Sequence, residues 1–301
     1  MRVAQIAIVV GAGYYLVRVA APHWPAIQAR RLSWHAGPLL AGSVLVWANL
    51  ALLIAAWTVS LRWCAQPIRY ADAARVWFTA NLARFLPGTV WQFASLAMMS
   101  ARYGLSTMAA TATMLLEQVV LLGTGLLVLA ALTPSVLHAR WWQAALVVAG
   151  VLAVVGLAVP RLGGRLGRWI ESRVPAVNLL WSQLGPAQLA AFTLMLVLPW
   201  IVYGTAFHLL ALSLFDNPVG SWSDHVAAFT GGYVAGIIAV LAPAGLLVRE
   251  AALVKALMTV GVGGGDAVIL AVASRIWLTL LELASGAVIM ALPGGVPPRR
   301  A

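Results

Sequence analysis

The chain has 301 residues, of which 62% are apolar and only 9% are charged, and its mean hydropathy is +0.93. These values exclude a soluble domain of this length and indicate a polytopic membrane protein. In such a protein the net charge of +11 reports loop orientation and contact with lipid headgroups, so nucleic acid is not an expected partner.

Apolar segments follow one another along the whole chain, and most reach the ~20 residues that a transmembrane helix needs. They lie at about 3–21, 37–61, 73–101, 106–133, 140–159, 185–214, 224–261 and 264–292. We interpret the first as a retained helix rather than a signal peptide, because later segments are equally hydrophobic and no clean cleavage site follows it. The sequence therefore predicts an all-α, multi-pass protein with a single integral membrane domain over 1–301.

The third and seventh segments are each interrupted near the middle by proline and glycine. The first break reads Asn81-Leu-Ala-Arg84-Phe-Leu-Pro87-Gly88, and the second reads Ala242-Pro243-Ala-Gly245-Leu-Leu-Val-Arg249-Glu250. Non-helical backbone at membrane depth survives only where it is buried in protein or lines a watery cavity. We therefore expect a polar site inside the membrane, next to turns made by residues that end helices. The expected turn residues are Pro87, Gly88, Pro243 and Gly245.

The two breaks occupy the same place in each half of the chain. A shift of 157 residues places Gly88 on Gly245, the fourth segment on the eighth and the second on the sixth. Residue identity between the halves is weak, so the repeat is one of hydropathy. We expect a first repeat over about 3–133 and a second over about 140–292.

The distribution of arginines predicts whether the broken segments cross the membrane. If all the segments cross, seven loop arginines lie inside and seven lie outside. If the broken segments are re-entrant hairpins, the count becomes eleven inside and three outside, which the positive-inside rule favours. The sequence thus predicts about six spanning helices plus two re-entrant hairpins, with both termini cytoplasmic. Three crossings per half invert the second repeat, as in transporters whose broken helices meet near the midplane.

Two arginines beside the breaks are candidates for contact with an anionic headgroup. Arg84 lies three residues before Pro87 in an apolar arm, and its planar donor fork suits a phosphodiester. Pairing with a carboxylate, or with carbonyls freed at the break, is the alternative. Arg249 and Glu250 are adjacent and diverge by roughly 100° on a helix, so one can bind a ligand while the other holds a neighbour. Asn81 is expected to hydrogen-bond backbone groups that Pro87 leaves free.

Four charged residues inside apolar segments are candidates for a buried charge network. They are Glu117, Glu250, Arg275 and Glu282. Glu117 nearly matches Arg275 under the 157-residue shift, which predicts an ion pair between them, and Glu282 lies on the same helical face as Arg275. A structural ion pair is favoured over a proton relay, although intramembrane carboxylates are what a proton-coupled carrier needs.

The residues at both breaks resemble the membrane region of lysylphosphatidylglycerol synthases and its stand-alone, flippase-like relatives. The motifs are N-x-x-R-x-x-P-G followed by Trp91-Gln92, Arg102-Tyr-Gly104-Leu-Ser, Glu117, and Ala242-Pro-Ala-Gly245 running into Val248-Arg-Glu-Ala251. The resemblance covers about Trp34 to Leu292. It implies movement of an aminoacylated phosphatidylglycerol or a polyprenyl-phosphate-linked sugar across the cytoplasmic (inner) membrane. The candidate substrate-binding residues are Asn81, Arg84, Gln92 and Arg249.

The chain departs from this family in two respects. The soluble aminoacyl-transferase domain of the full-length synthases is absent from the sequence, so lipid synthesis is not carried over. Leu247 stands where relatives often have a second glycine after the P-x-G turn. Membrane lipids are the expected partners, and a glycosyltransferase or lipid-modifying enzyme is a further candidate.

An enzyme is not expected, because the residues that would carry catalysis are scattered. Asp216 and Asp224 are separated, His35 and His225 have no obvious partners, and the sequence has no phosphate-binding loop. The single cysteine, Cys64, excludes an intrachain disulfide and a cysteine-based metal site, so we expect no cofactor and no metal. Two alternatives stay open: a non-transporting membrane partner of a glycosyltransferase, and a polyprenyl-phosphate-dependent membrane enzyme.

Overall fold

The structure is a computed structural model that describes residues 21, 24–25, 32–83, 90–132, 145, 147–150, 185–238 and 247–292. Within these ranges the regular secondary structure is helical, with no strand. Four of the helices are long and apolar enough to cross a membrane. The all-α, polytopic class that the composition predicts is therefore confirmed.

The described helices follow the same order twice along the chain: a long helix, two short helices and a second long helix. The helices are α1 (Ala36–Trp63), α2 (Tyr70–Ala83), α3 (Val90–Arg102), α4 (Thr107–Leu132), α5 (Pro186–Leu214), α6 (Trp222–Ile238), α7 (Val248–Thr259) and α8 (Gly264–Ala291). The four long helices, α1, α4, α5 and α8, are those that can span a membrane. The starts of α4 and α8 are 157 residues apart, as the sequence offset predicts. The apolar segments at 3–21 and 140–159 lie mostly outside the described residues.

The helix ends follow from local residue chemistry. Ser106 precedes α4, and its hydroxyl accepts a hydrogen bond from the Ala109 N–H at 3.4 Å, as an N-cap does. Pro186 opens α5, where its missing N–H costs nothing. Gly104 and Gly261 follow α3 and α7 with φ of 73° and 88°, a left-handed conformation that glycine adopts without strain.

The chain forms two compact units. The first comprises Met1–Asn49, Gly125–Val148 and Leu198–Glu282, and the second comprises Leu50–Thr124, Ala149–Val197 and Leu283–Ala301. The short helices α6 and α7 belong to the first unit, and α2 and α3 belong to the second.

In the first unit, α6 and α7 run antiparallel and in close contact. A Cβ atom built on Gly232 would lie 3.0 Å from the Cβ of Leu253, and one built on Gly236 would lie 3.1 Å from the Cβ of Arg249. A step of four residues forward along α6 thus moves the contact four residues back along α7, so the two helices are antiparallel. Glycines at this spacing let two helix backbones approach closely, so α6 and α7 have the form of a helical hairpin.

The ends of α1 and α5 also pair antiparallel within the first unit. The N–H groups of Ser33 and His35 donate to the carbonyls of Leu214 and Ser213 at 3.1 and 3.0 Å. Further along, Gly42 faces the Ala206 carbonyl, which a Cβ atom there would approach to 3.2 Å. The beginning of α1 therefore lies beside the end of α5.

In the second unit, α2 and α3 pack against each other, and α2 also packs against the end of α8. A Cβ atom on Gly286 would lie 2.8 Å from Leu82 and 3.6 Å from Phe78. Arg75 donates to the Leu292 carbonyl at 3.0 Å, where α8 leaves carbonyls without helical partners. This contact fixes the start of α2 to the end of α8.

The contact between α5 and α6 depends on a glycine. A Cβ atom on Gly204 would lie 2.7 Å from the Cα of Val226, so Gly204→Ala has to push the two helices apart. We expect this substitution to lower the free energy of unfolding by about 1–3 kcal/mol, measured by thermal unfolding in detergent. Gly37→Ala in α1 is the matched control, because no described atom lies within 4 Å of its added Cβ. Equal stability of the two variants would contradict the close α5–α6 contact.

Candidate functional site

Arg249 is the second residue of α7, and its charged group is buried against two aromatic rings of α6. Its guanidinium carbon lies 5.1 Å from the centre of the Phe229 ring and 4.9 Å from that of Tyr233. Phe229 and Tyr233 are four residues apart and so share one face of α6. The residue is 7% exposed, and desolvated cation–π contacts of this kind contribute about 2 kcal/mol.

The Arg249 side chain retains an unused hydrogen-bond donor. Its Nη2 is buried and has no hydrogen-bond partner among the described residues. Ring faces attract the positive charge but leave the N–H groups at the guanidinium edge unsatisfied, and an unmade bond of a buried polar group costs about 1–3 kcal/mol. A bound oxyanion would remove this cost.

Glu250 points elsewhere, as expected for the next residue on a helix. One of its carboxylate oxygens accepts the Leu247 N–H at 2.7 Å, and the other lies 3.6 Å from Nη1 of Arg275. Glu250 is buried, whereas the Arg275 side chain is 19% exposed. Glu250 therefore holds α8 and the start of α7, while the donor of Arg249 stays available.

Leu247 has a positive φ, a backbone conformation that glycine adopts without strain. Its φ is 72°, in the left-handed region that costs a non-glycine residue roughly 1–2 kcal/mol. The hydrogen bond from its N–H to Glu250 offsets part of this cost. The chain thus makes a left-handed turn before α7 with a leucine at the turn position.

The local electrostatics favour an anion. Arg249 and Arg275 carry two positive charges, Glu250 carries one negative charge, and the N-terminal end of α7 adds a partial positive charge. The net field is positive around a planar donor fork, which suits a phosphate or carboxylate. This arrangement can therefore bind an anion.

Asn81 and Gln92 link the two arms of the first broken segment. Asn81 is buried in α2, and its Nδ2 donates to the Trp77 carbonyl at 3.0 Å. Gln92 of α3 donates through Nε2 to the Asn81 side-chain oxygen at 3.5 Å. The turn residues Pro87, Gly88, Pro243 and Gly245, together with Arg84, lie outside the described residues, so their roles stay predictions.

The predicted charge network is brought together in part. Glu250 and Arg275 form the ion pair described above, while Glu117 on α4 and Glu282 on α8 are buried in the protein. None of the three glutamates lies on the outer surface. The pairing of Glu117 with Arg275 stays a prediction.

The structure gives partners to two histidines for which the sequence shows none. Nε2 of His35 lies 2.8 Å from a carboxylate oxygen of Asp216, and Nδ1 of His225 lies 2.7 Å from Nδ1 of His208. The expectation that His35 and His225 lack partners is therefore wrong. Their partners lie within α5 or just after it, and only the antiparallel packing of α1 and α5 and the packing of α6 on α5 bring them close.

The ring faces under Arg249 were not predicted either. Phe229 and Tyr233 recur with the four-residue spacing of a helix face, but such a stripe more often indicates core packing than a site. Only their contact with Arg249 distinguishes them.

These features define an all-helical, polytopic membrane protein with a buried cation at the start of a short broken-segment helix. The family model for the lysylphosphatidylglycerol synthase transmembrane region matches residues 2–286. The chain belongs to this family, as the motifs at the two breaks indicate. No curated protein matches the chain.

The ion pair of Glu250 and Arg275 predicts energetic coupling. Glu250→Gln removes the partner of a mostly buried cation, so we expect a loss of about 1–3 kcal/mol in the free energy of unfolding. In a double-mutant cycle with Arg275→Gln, the coupling energy should exceed about 0.5 kcal/mol, measured by unfolding in detergent.

Arg69 and Asp72 provide a control pair for this cycle. Their bond of 2.7 Å is shorter, but the Arg69 side chain is 72% exposed. The hydrogen bond that Arg69 donates to Asp72, together with the negative charge of Asp72, raises the pKa of Arg69, yet solvent screens an exposed pair. Arg69→Gln should leave the stability unchanged, and a coupling of Glu250 with Arg275 no larger than this control would contradict the buried pair.

Proposed function

We propose that the protein is a lipid flippase of the cytoplasmic (inner) membrane. Its cargo is an anionic or headgroup-modified lipid, either an aminoacyl-phosphatidylglycerol or a polyprenyl-phosphate-linked sugar. The observation that carries the proposal is the buried guanidinium of Arg249, which has an unused donor at Nη2. Membership of the family supports a lipid as the bound molecule.

The physical task of a flippase is to lower the cost of taking a charged headgroup through a medium without water. An isolated ion in such a medium costs tens of kcal/mol. The guanidinium of Arg249 is already desolvated in the folded protein. Its desolvation therefore adds nothing to the free energy of binding a phosphate oxygen. The lipid tails stay in the bilayer while the headgroup exchanges water for the donors around the start of α7.

Two sets of contacts support an inverted relation between the repeats. The corresponding helices α1 and α5 pack antiparallel, since Ser33 and His35 bond to Leu214 and Ser213. Leu129 of α4 packs on Gly231 of α6. An equivalent contact joins α8 to α2, where Gly286 faces Phe78. Leu129 and Gly286 are related by the 157-residue offset, whereas Phe78 and Gly231 are separated by about one helical turn less than this offset.

An inverted repeat also suits the proposed transport. It presents the same arrangement of helices to the two sides of a membrane, so that a site can open to either side by exchange between equivalent conformations. The protein then needs no separate machinery for loading and release. We propose that both termini lie in the cytoplasm.

Transport should depend on Arg249. In vesicles with reconstituted protein, a fluorescent label on the headgroup of an anionic lipid is quenched from outside to count the lipids that change leaflet. Arg249→Ala removes a charged hydrogen bond worth about 1.5–3 kcal/mol, so we expect the rate to fall about 10- to 100-fold. Arg249→Lys, which keeps the charge without the planar fork, should be intermediate.

The control is Arg102→Ala at the exposed end of α3, which should transport like the wild type. A wild-type protein that accelerates no anionic lipid would contradict transport and favour the non-transporting partner of a glycosyltransferase. If the Arg249→Ala variant still transports lipid, the headgroup binds at a site other than Arg249.

The arrangement of six spanning helices and two re-entrant hairpins predicts which side of the membrane each loop faces. Arg102→Cys should be labelled by an impermeant maleimide only from the cytoplasmic side, and Val219→Cys only from outside. If all eight apolar segments cross the membrane, Arg102→Cys should instead be labelled from outside and Val219→Cys from the cytoplasmic side. Gly263→Cys lies outside in both arrangements and serves as the control. The background is Cys64→Ala, although burial raises the pKa of the Cys64 thiol and makes it a poor nucleophile.

A further inference from the structure

His208 of α5 and His225 of α6 form a pair apart from the charged group around Arg249. Their Nδ1 atoms are 2.7 Å apart, which is hydrogen-bond distance. His225 is completely buried, and its Nε2 lies 3.1 Å from the Val219 carbonyl. His208 is only half-buried and lies six residues before the end of α5, so the pair reaches from the core to the outer face of α5.

The hydrogen-bond partners fix where the protons lie. A carbonyl only accepts, so Nε2 of His225 carries a hydrogen, and in the neutral ring its Nδ1 is then an acceptor. Nδ1 of His208 must therefore carry the hydrogen that joins the rings. The remaining lone pair is on Nε2 of His208, the atom that can take up a further proton from water.

The pair can hold one additional proton but not two. With one, His208 becomes an imidazolium that donates to a neutral His225, and a charge-assisted hydrogen bond is stronger than a neutral one. With two, both Nδ1 atoms would be positively charged donors 2.7 Å apart, and like charges at this distance repel. Geometry alone thus makes the pair a one-proton site.

The surroundings of the pair permit a single positive charge. On α6, Asp224 lies next to His225 and accepts hydrogen bonds from Ser221. Asp216, which follows α5, is engaged by His35 ahead of α1. From α7, the Arg249 guanidinium faces Phe229, and Glu250 pairs with Arg275 of α8. The other α7 and α8 residues in the core around Phe207 and Phe229 are apolar.

A continuous set of ring contacts connects the pair to Arg249. The ring centre of His225 lies 5.8 Å from that of Phe207, and Phe207 lies 5.4 Å from Phe229. Phe229 in turn covers the Arg249 guanidinium at 5.1 Å. His225, Phe229 and Tyr233 are spaced by four residues along one face of α6, so the helix that the histidines attach to α5 also carries both rings over the cation.

We propose that His208 and His225 form a proton-binding site that couples lipid movement to one proton. Proton uptake at Nε2 of His208 strengthens the attachment of α6 to α5 and holds Phe229 and Tyr233 over Arg249. Proton release to water weakens that attachment and frees the aromatic cover to move. The coupling rests on the flippase function proposed above, whereas the proton site stands without it.

Proton binding is tested first on the protein in nanodiscs, with ¹⁵N-labelled histidine observed by NMR from about pH 5 to about pH 8, the range in which histidine titrates. We expect the His208 and His225 signals to titrate together with uptake of one proton, and a scalar coupling between their Nδ1 atoms. His225→Gln should abolish that coupling. His35→Gln removes the other paired histidine of this unit and should leave it intact. Independent uptake of one proton by each ring would overturn the site.

Coupling is tested by lipid movement in vesicles over the same pH range. The wild-type rate should change with pH by up to ~10-fold per unit, the limit for a single proton. His225→Gln and the half-buried His208→Gln should both flatten the profile, and His35→Gln should keep it.

Failure of the coupling and failure of the flippase proposal give different results. A wild-type pH profile in both His208→Gln and His225→Gln, with transport still lost in Arg249→Ala, overturns the coupling alone. Transport that survives Arg249→Ala, with the joint titration of the two rings observed, overturns the Arg249 headgroup site while the proton site stands.

Discussion

Burying the charge of Arg249 imposes the constraint around which the first unit is built. A desolvated guanidinium needs electron-rich surfaces close to it, and Phe229 and Tyr233 supply them only because α6 lies against α7. Gly232 and Gly236 permit that approach. These glycines thereby allow Phe229 and Tyr233 to contact the Arg249 guanidinium. The two carboxylate oxygens of Glu250 face the Leu247 N–H and Arg275, so Nη2 of Arg249 is left without a hydrogen-bond partner among the described residues.

The position of α6 links this cation to the rest of the unit. Val226 meets Gly204 of α5 near the start of the helix, and His225 bonds to His208 one residue earlier. Small displacements of α6 against α5 therefore move the rings that cover Arg249. His208 and His225 pair within a close-packed contact between two helices. Close-packed interiors have low compressibility, so this pair has few intermediate arrangements.

Much of the fold is readable from the sequence, because the features that determine it are local. Runs of apolar residues predict α1, α4, α5 and α8, and the offset from Gly88 to Gly245 also relates the starts of α4 and α8. The adjacent positions of Arg249 and Glu250 correctly predict that they diverge. The partners of His35 and His225 were missed because they depend on which helix ends meet, and the long helices are too uniformly apolar to reveal their facing sides.

The contacts of Gly231 and Gly286 differ in which helix supplies the small residue. In one contact the short helix supplies glycine and the long helix supplies Leu129, whereas in the other the short helix supplies Phe78 and the long helix supplies glycine. In both contacts the first half of the sequence supplies the large side chain and the second half supplies the glycine, so the two halves fit each other through complementary residue sizes.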